Sequence, residues 1–429
     1  MPTHTSVHKK QGLPHFYIAI LILIVIFTIS LYKTLHLKSN IPLCERCNII
    51  LIVADPLRTD ELPCYGYLVN TAPNLCTFAD RNIRFTNAYS QSSWTLPSIM
   101  SLFSSLYPSQ HNVFAPDIDV LPAQVTTLPM ALHNAGYTTV FIGPIDDSSH
   151  HVPLDKGLGR GFDSVFAYTN FSDASEQVMK FMSESSLKKP VFVFIHSFDL
   201  RNNSSKSSPS IFPLDPTYSY GYVDPYLANI RLQTEDSAAN ITSLKRAYDE
   251  RIRQLDEQIH ILLQATQNQL FSKRTIIAFT SDHGEEFGEH GQSTHGVNLF
   301  ATTTHIPLII SIPNTKATVN TNLVQSIDIY PTLLSIVGLP SPKSVKGIPA
   351  IPKGKYTNTA LLSQLEPEKH LVGIRTHTWS YYFNPSQNTE KQGALYDLLS
   401  DPKEIKNIAK GNEAIIEQLL NLYRQAVTL

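Results

Sequence analysis

Thr275 to Thr280 (TIIAFT) runs without interruption into Ser281-Asp282-His283-Gly284-Glu285-Glu286. A short run rich in β-branched residues and free of charge reads as a strand buried on both faces, the pattern of a largely parallel sheet covered by helices. The polar residues that follow then stand at the strand's carboxyl end, where ligands gather in such sheets. A carboxylate beside an imidazole offers a metal ion one oxygen and one nitrogen, so Asp282 and His283 are a candidate ligand pair. The plain alternative is a polar corner between strand and loop.

Runs of the same character recur at Asn48 to Ala54 (NIILIVA), Thr139 to Gly143 (TVFIG), Val191 to Ile195 (VFVFI) and Pro307 to Ile312 (PLIISI). Between two of them, Leu244, Tyr248, Ile252, Leu255, Ile259 and Leu262 recur at steps of three or four, one apolar stripe on a long helix. Strands alternating with helices imply an α/β sandwich. From about Leu200 to Thr242 the rhythm breaks into Ser, Asn, Pro and Tyr, an irregular insertion that reads as a binding loop or as disorder. Towards the end, Leu371 to Asn384 and Ala394 to Leu398 (ALYDL) predict a small antiparallel sheet. A closing amphipathic helix from about Glu413 to Ala426 packs on it.

With 42% hydrophobic residues in 429, the chain can bury a large core. Its 34 Lys and Arg nearly balance its 36 Asp and Glu, so there is no basic footprint for nucleic acid. Phe16 to Tyr32 (FYIAILILIVIFTISLY) is a 17-residue run without charge, preceded by Lys9 and Lys10 and followed by no small-residue cleavage pattern. It predicts an uncleaved single-pass anchor over 16–32, a cytoplasmic tail over 1–15, a linker over 33–47, and a catalytic part outside the cytoplasm. Cys44, Cys47, Cys64 and Cys76 cluster just beyond it. They could form two disulfides by any of three pairings, stay free, or bind zinc, with ligand-like spacing only at Cys44-x-x-Cys47.

Two further sites carry chemistry. Asp55 closes the NIILIVA run and precedes Pro56, a residue suited to the first turn of a helix. Asp55 therefore reads either as a helix N-cap or as a second carboxylate facing the cation of Asp282 and His283. Thr95, in Ser93-Trp94-Thr95-Leu96-Pro97-Ser98, lies where a helix could open. Its hydroxyl could simply cap that helix, or a nearby cation and the helix dipole could favour its alkoxide and make it a nucleophile.

Together these stretches resemble the sulfatase family of the alkaline-phosphatase superfamily. The likeness runs through Asn48 to Asp60, Cys64-Tyr65-Gly66-Tyr67, Thr71 to Leu75, Arg84 to Tyr89, Ser92 to Ser98, Leu106 to His111 and Ser281 to His290. It continues through Asp328 to Leu334 and Leu395 to Pro402. The resemblance implies a sandwich with a mostly parallel central sheet, a catalytic domain over 48–340 and an α+β subdomain over 341–429. It implies one divalent cation (Ca, Mn or Mg) on Asp55, Asp282 and His283, with the nucleophile Thr95 also contacting it. His295, in Thr294-His295-Gly296, matches a contact to the sulfate or phosphate group, and His196 and Arg58 are expected to contact substrate.

Departures from the pattern are as informative. Sulfatases proper carry Cys or Ser at the nucleophile position, converted to formylglycine, with an Arg four residues later; here Thr95 and Ile99 stand there. The second Asp of the usual pair is Pro56, the Gly-Lys-Trp-His stretch has no counterpart in Gly143 to Asp147, and the usual Pro-His appears as Leu200-Arg201. The resemblance implies cleavage of sulfate esters on a glycan, lipid or small molecule. Threonine brings in phosphoryl or phosphodiester chemistry on an envelope lipid or glycan as a rival. A catalytically inactive protein binding anionic groups is a third reading.

Overall fold

All five apolar runs enter one sheet. The structure, a computed structural model, describes residues 43–115, 118–145, 153–184, 189–201, 237–266, 274–292, 294–351, 361–364, 371–385 and 390–428. Its strands are β1 Asn48–Ala54, β2 Ile83–Tyr89, β3 Thr138–Gly143, β4 Ser164–Ala167, β5 Val191–Ser197, β6 Thr275–Thr280, β7 His305–Ser311 and β8 Thr318–Gln325. They lie in the order β4-β3-β5-β1-β6-β7-β2-β8. Strand β1 sits at the centre, parallel to β5 on one side and to β6 on the other.

The period of two along β1 builds two cores. Ile49, Leu51 and Val53 face one layer with Phe103, Phe141 and Phe194. Ile50, Ile52 and Ala54 face the other with Tyr248, Ile252, Leu255 and Ile259 of the helix Ser237–Thr266. Because both faces are covered, Ile49 through Ala54 are fully buried and the run needs no polar alternation. Each Ile, Leu or Val side chain among them contributes roughly 1.5–3 kcal/mol on burial.

One expected strand runs the other way. The chain from Ser281 to Thr304 never crosses the sheet; it forms a loop and the short helix Ala301–Thr304. Strand β7 therefore starts at the end where β6 stopped and pairs antiparallel with both β6 and β2. The sheet is mostly, not wholly, parallel.

A second, antiparallel sheet follows, in the order β12-β11-β10-β9, from β9 Leu361–Gln364, β10 Val372–Arg375, β11 Trp379–Phe383 and β12 Ala394–Asp397. The helix Glu413–Thr428 lays Ile416, Leu419 and Leu420 against Ile374, Tyr381, Phe383 and Leu395. Cysteines pair as Cys44–Cys47 and Cys64–Cys76, so no thiol is left for zinc.

The membrane assignment is corrected. Among the described residues no helix is long and apolar enough to cross a membrane, and the single-pass anchor and its localisation are not supported. The longest described helix, Ser237–Thr266, has one apolar stripe and carries Lys245, Arg246, Glu250, Arg253 and Glu257 around it, a surface built to cover a sheet. Residues 1–15 and 16–32 lie outside the described residues, as do 202–236 of the expected insertion. That helix begins at Ser237, inside the stretch expected to be irregular.

Candidate active site

Because β1 and β6 are adjacent and parallel, their carboxyl ends bring Asp55 beside Asp282 and His283. Ser281 ties the two loops: its hydroxyl donates to the Ala54 carbonyl at 2.6 Å and accepts from the Leu57 backbone N–H at 2.9 Å. Pro56 does not open a helix. It lies in a turn after a cis peptide bond, and the next helical turn is the 3-10 segment Thr59–Glu61. Asp55 is thus not an N-cap, and its carboxylate points into the cluster.

Asp55, Asp282 and His283 each offer a ligand atom, all within 4.8 Å of one another. Thr95 is the first residue of the helix Thr95–Ser104, with Trp94 in the cap position. Its hydroxyl donates to Asp55 Oδ2 at 3.1 Å and lies 3.3 Å from His283 Nε2. The helix brings Thr95 in because Leu96, Ile99 and Phe103 anchor it in the apolar layer; Ile99 is fully buried there and brings no charge.

The protonation states follow from burial and neighbours. His283 Nδ1 donates to the Gly284 carbonyl at 2.8 Å, leaving Nε2 with its lone pair towards the carboxylates. Burial, helped by His295, pushes the His283 pKa well down, so the ring is neutral. Burial also drives Asp282 well above the usual carboxylate range, reinforced by the charge of Asp55. Asp55 bears the same burial, but Arg201, His196 and His283 together hold it well below that range.

This donor set fits a divalent cation. Asp282 Oδ2 is buried with no hydrogen-bond partner among the described residues, and both nitrogens of the buried His196 are likewise without one. His196 Nε2 lies 3.4 Å from Asp55 Oδ2 and 3.9 Å from Asp282 Oδ2. Acceptors outnumber donors, an arrangement costly to bury unless a cation joins it.

Arg201 is the residue that sequence reasoning missed. The turn after β5 brings its guanidinium into the cluster, where Nε donates to Asp55 Oδ1 at 2.7 Å and Nη2 to Thr95 Oγ1 at 2.6 Å. Nη2 also lies 3.4 Å from the Nε2 atoms of His283 and His295. Burial disfavours its charge, yet Asp55 and Asp282 raise its pKa and keep it protonated. The available signal was an arginine a few residues beyond the strand end that carries His196.

His295 and Arg58 sit differently with respect to the cluster. The His295 ring centroid lies 4.4 Å from that of His283, the two rings tilted by 38°, and its Nδ1 donates to Glu285 Oε2 at 3.0 Å. The loop is clamped by the Gly296 N–H on the Ser93 carbonyl at 2.8 Å, at a φ of 72° that favours glycine. Arg58 is 2% exposed, and its bonds go to Asp60, the Glu285 carbonyl and Glu289. They hold the turn after β6 and do not reach the ligand cluster.

Residues 47–339 match the family model described as Sulfatase. The chain belongs to the sulfatase family. A second model, the C-terminal region of N-sulphoglucosamine sulphohydrolase, matches residues 288–426. Arylsulfatase K of Canis lupus familiaris is 30% identical over 216 residues, 47% of this chain and 40% of that relative, so the chain aligns with less than half of its length. Choline-sulfatase of Rhizobium meliloti is 24% identical over 86% of this chain and 84% of its own. The phosphonate monoester hydrolase of Agrobacterium radiobacter shares the fold, with a TM-score of 0.73 at 19% identity over 89% of this chain and 96% of its own.

Proposed function

We propose that the chain is a metal-dependent hydrolase of sulfate esters, with Thr95 as nucleophile, Asp55, Asp282 and His283 as the holders of one divalent cation, and His295 as a contact to the transferred group. The observation that carries this reading is the Thr95 hydroxyl, buried within hydrogen-bond reach of Asp55 at the start of a helix. A cation held there would supply positive charge that lowers the pKa of an adjoining hydroxyl and offsets charge on the ester's oxygens. Thr95 gives up its proton to water, Asp55 being too weak a base to keep it, and the helix N-terminus favours the resulting oxyanion. Its Oγ forms a bond to sulfur as the opposite bond, from sulfur to the ester oxygen, breaks. The departing alkoxide takes up a proton from water, and a second water then hydrolyses the ester on Thr95 and restores the hydroxyl. His295, fixed by Glu285, points Nε2 into the same space, where it supports the charge on the non-bridging oxygens.

Threonine favours a second reading, transfer or hydrolysis of a phosphoryl or phosphodiester group, because a threonine hydroxyl cannot become the aldehyde that sulfatases proper use. Aryl sulfate, aryl phosphate and phosphodiester reporters, each with Mn²⁺, Ca²⁺ or Mg²⁺ and after chelation, decide between them. Aryl sulfate turnover that chelation abolishes and one ion restores is the expected result, with the transferred group's mass on the peptide containing Thr95. Phosphodiester turnover alone would establish the second reading. Retention of ion without turnover of any reporter would mark a binding protein, and full activity without metal would overturn the cation site.

A further inference from the structure

The Arg201 guanidinium lies among the atoms assigned to the cation. Of the two Asp55 oxygens, Oδ1 already accepts from Arg201 Nε at 2.7 Å, and the Thr95 hydroxyl accepts from Nη2 at 2.6 Å. Asp282 Oδ2 is left without a partner among the described residues. With both carboxylates ionised, as ligands to a cation would be, the guanidinium cuts the pocket's formal charge from two negative to one. A guanidinium this close to a divalent ion repels it strongly, because buried charges are poorly screened.

We propose that Arg201 is a built-in competitor for the divalent cation: ion binding requires its guanidinium to release Asp55, and this release sets the affinity of the site. The inference rests on the reading of Asp55, Asp282 and His283 as a cation site. Two features give Arg201 room to let go. It lies beyond the end of β5 at Ser197, in a turn and not in the sheet, and its side chain keeps 16% of its surface exposed. Its Cζ also stands 5.1 Å from the Phe198 ring centroid, an aromatic face that can hold the released cation. Arg58 offers the contrast: at 2% exposure, with donors on Asp60 and Glu289, it has neither an exit nor a ligand atom to yield.

Calorimetric titration of the full chain with Mn²⁺, Ca²⁺ and Mg²⁺ tests this without reference to turnover. Arg201→Gln removes the charge and should bind its preferred ion at least about tenfold more tightly than wild type. Arg201→Lys keeps the charge and should bind close to wild type. Before any ion is added, Arg201→Gln should melt at a lower temperature than wild type, since Asp55 has lost its partner, and the ion should restore the difference. In wild type alone, hydrogen exchange at the Arg201 Nε–H should be slow without ion and faster with saturating Ca²⁺, which keeps the test open if the glutamine variant fails to fold. Equal or weaker ion binding by Arg201→Gln, or exchange that does not change, overturns the competition while leaving the cation site standing. If neither wild type nor variant binds any ion, the cation reading falls as well.

Discussion

Two buried arginine–carboxylate pairs in this molecule look alike and differ in what surrounds them. Glu404, 1% exposed, accepts on Oε1 from Arg375, Ser380 and Tyr382 at 2.9, 2.6 and 2.6 Å, and on Oε2 from the Ala301 N–H at 2.8 Å. Both oxygens are satisfied by fixed donors from three segments, so this carboxylate stitches the C-terminal sheet to the loop before β7. Asp55 is as deeply buried and also accepts on both oxygens, from Arg201 and Thr95, but beside it Asp282 Oδ2 is buried with no hydrogen-bond partner among the described residues. A carboxylate ringed by donors is closed and structural. A pocket whose second carboxylate keeps an oxygen without a donor is short of positive charge, and that shortage makes it a candidate for binding and chemistry.

The largest effect that could break this contrast lies at Thr95. Thr95→Ala should fold with a melting temperature close to wild type and lose turnover by several orders of magnitude, while Thr95→Ser keeps measurable activity. Steady-state kinetics beside thermal melts checks this, and near wild-type turnover by the alanine variant would reduce Thr95 to a structural hydroxyl. Glu404→Ala should do the opposite. Leaving Arg375 buried without its partner should cost about 3–5 kcal/mol of stability in denaturant melts. Activity per folded molecule should change little, and a selective loss of turnover with unchanged stability would erase the distinction.

The smallest effect is a pH dependence at a third buried carboxylate. Burial, together with the charge of Glu61, pushes Asp249 up to about 7. The folded chain thus holds a proton there that the unfolded chain releases near the ordinary carboxylate range. Its contribution is least unfavourable at low pH and is lost as pH rises towards about 7, beyond which the penalty is constant. Asp249→Asn should therefore raise the melting temperature more at pH 8 than at pH 5. An equal gain at both would show that Asp249 does not titrate as its surroundings imply.

The sequence by itself determined the central strands. β1 and β6 run over the residues that their apolar, β-branched composition marks, because strands buried on both faces need no alternation and so stand out locally. The same runs place Asp55, Asp282 and His283 at strand ends, and the small C-terminal sheet with its helix was equally legible. β2 (IRFTNAY) and β8 (TVNTNLVQ) do not stand out, since polar residues interrupt both. The direction of β7, the pairing of the cysteines and the position of Arg201 were decided by tertiary structure alone. Asp55 and Arg201 are 146 residues apart, and Thr95 and Arg201 are 106 apart. Their meeting depends on β5 lying next to β1, a consequence of strand order that no local spacing encodes.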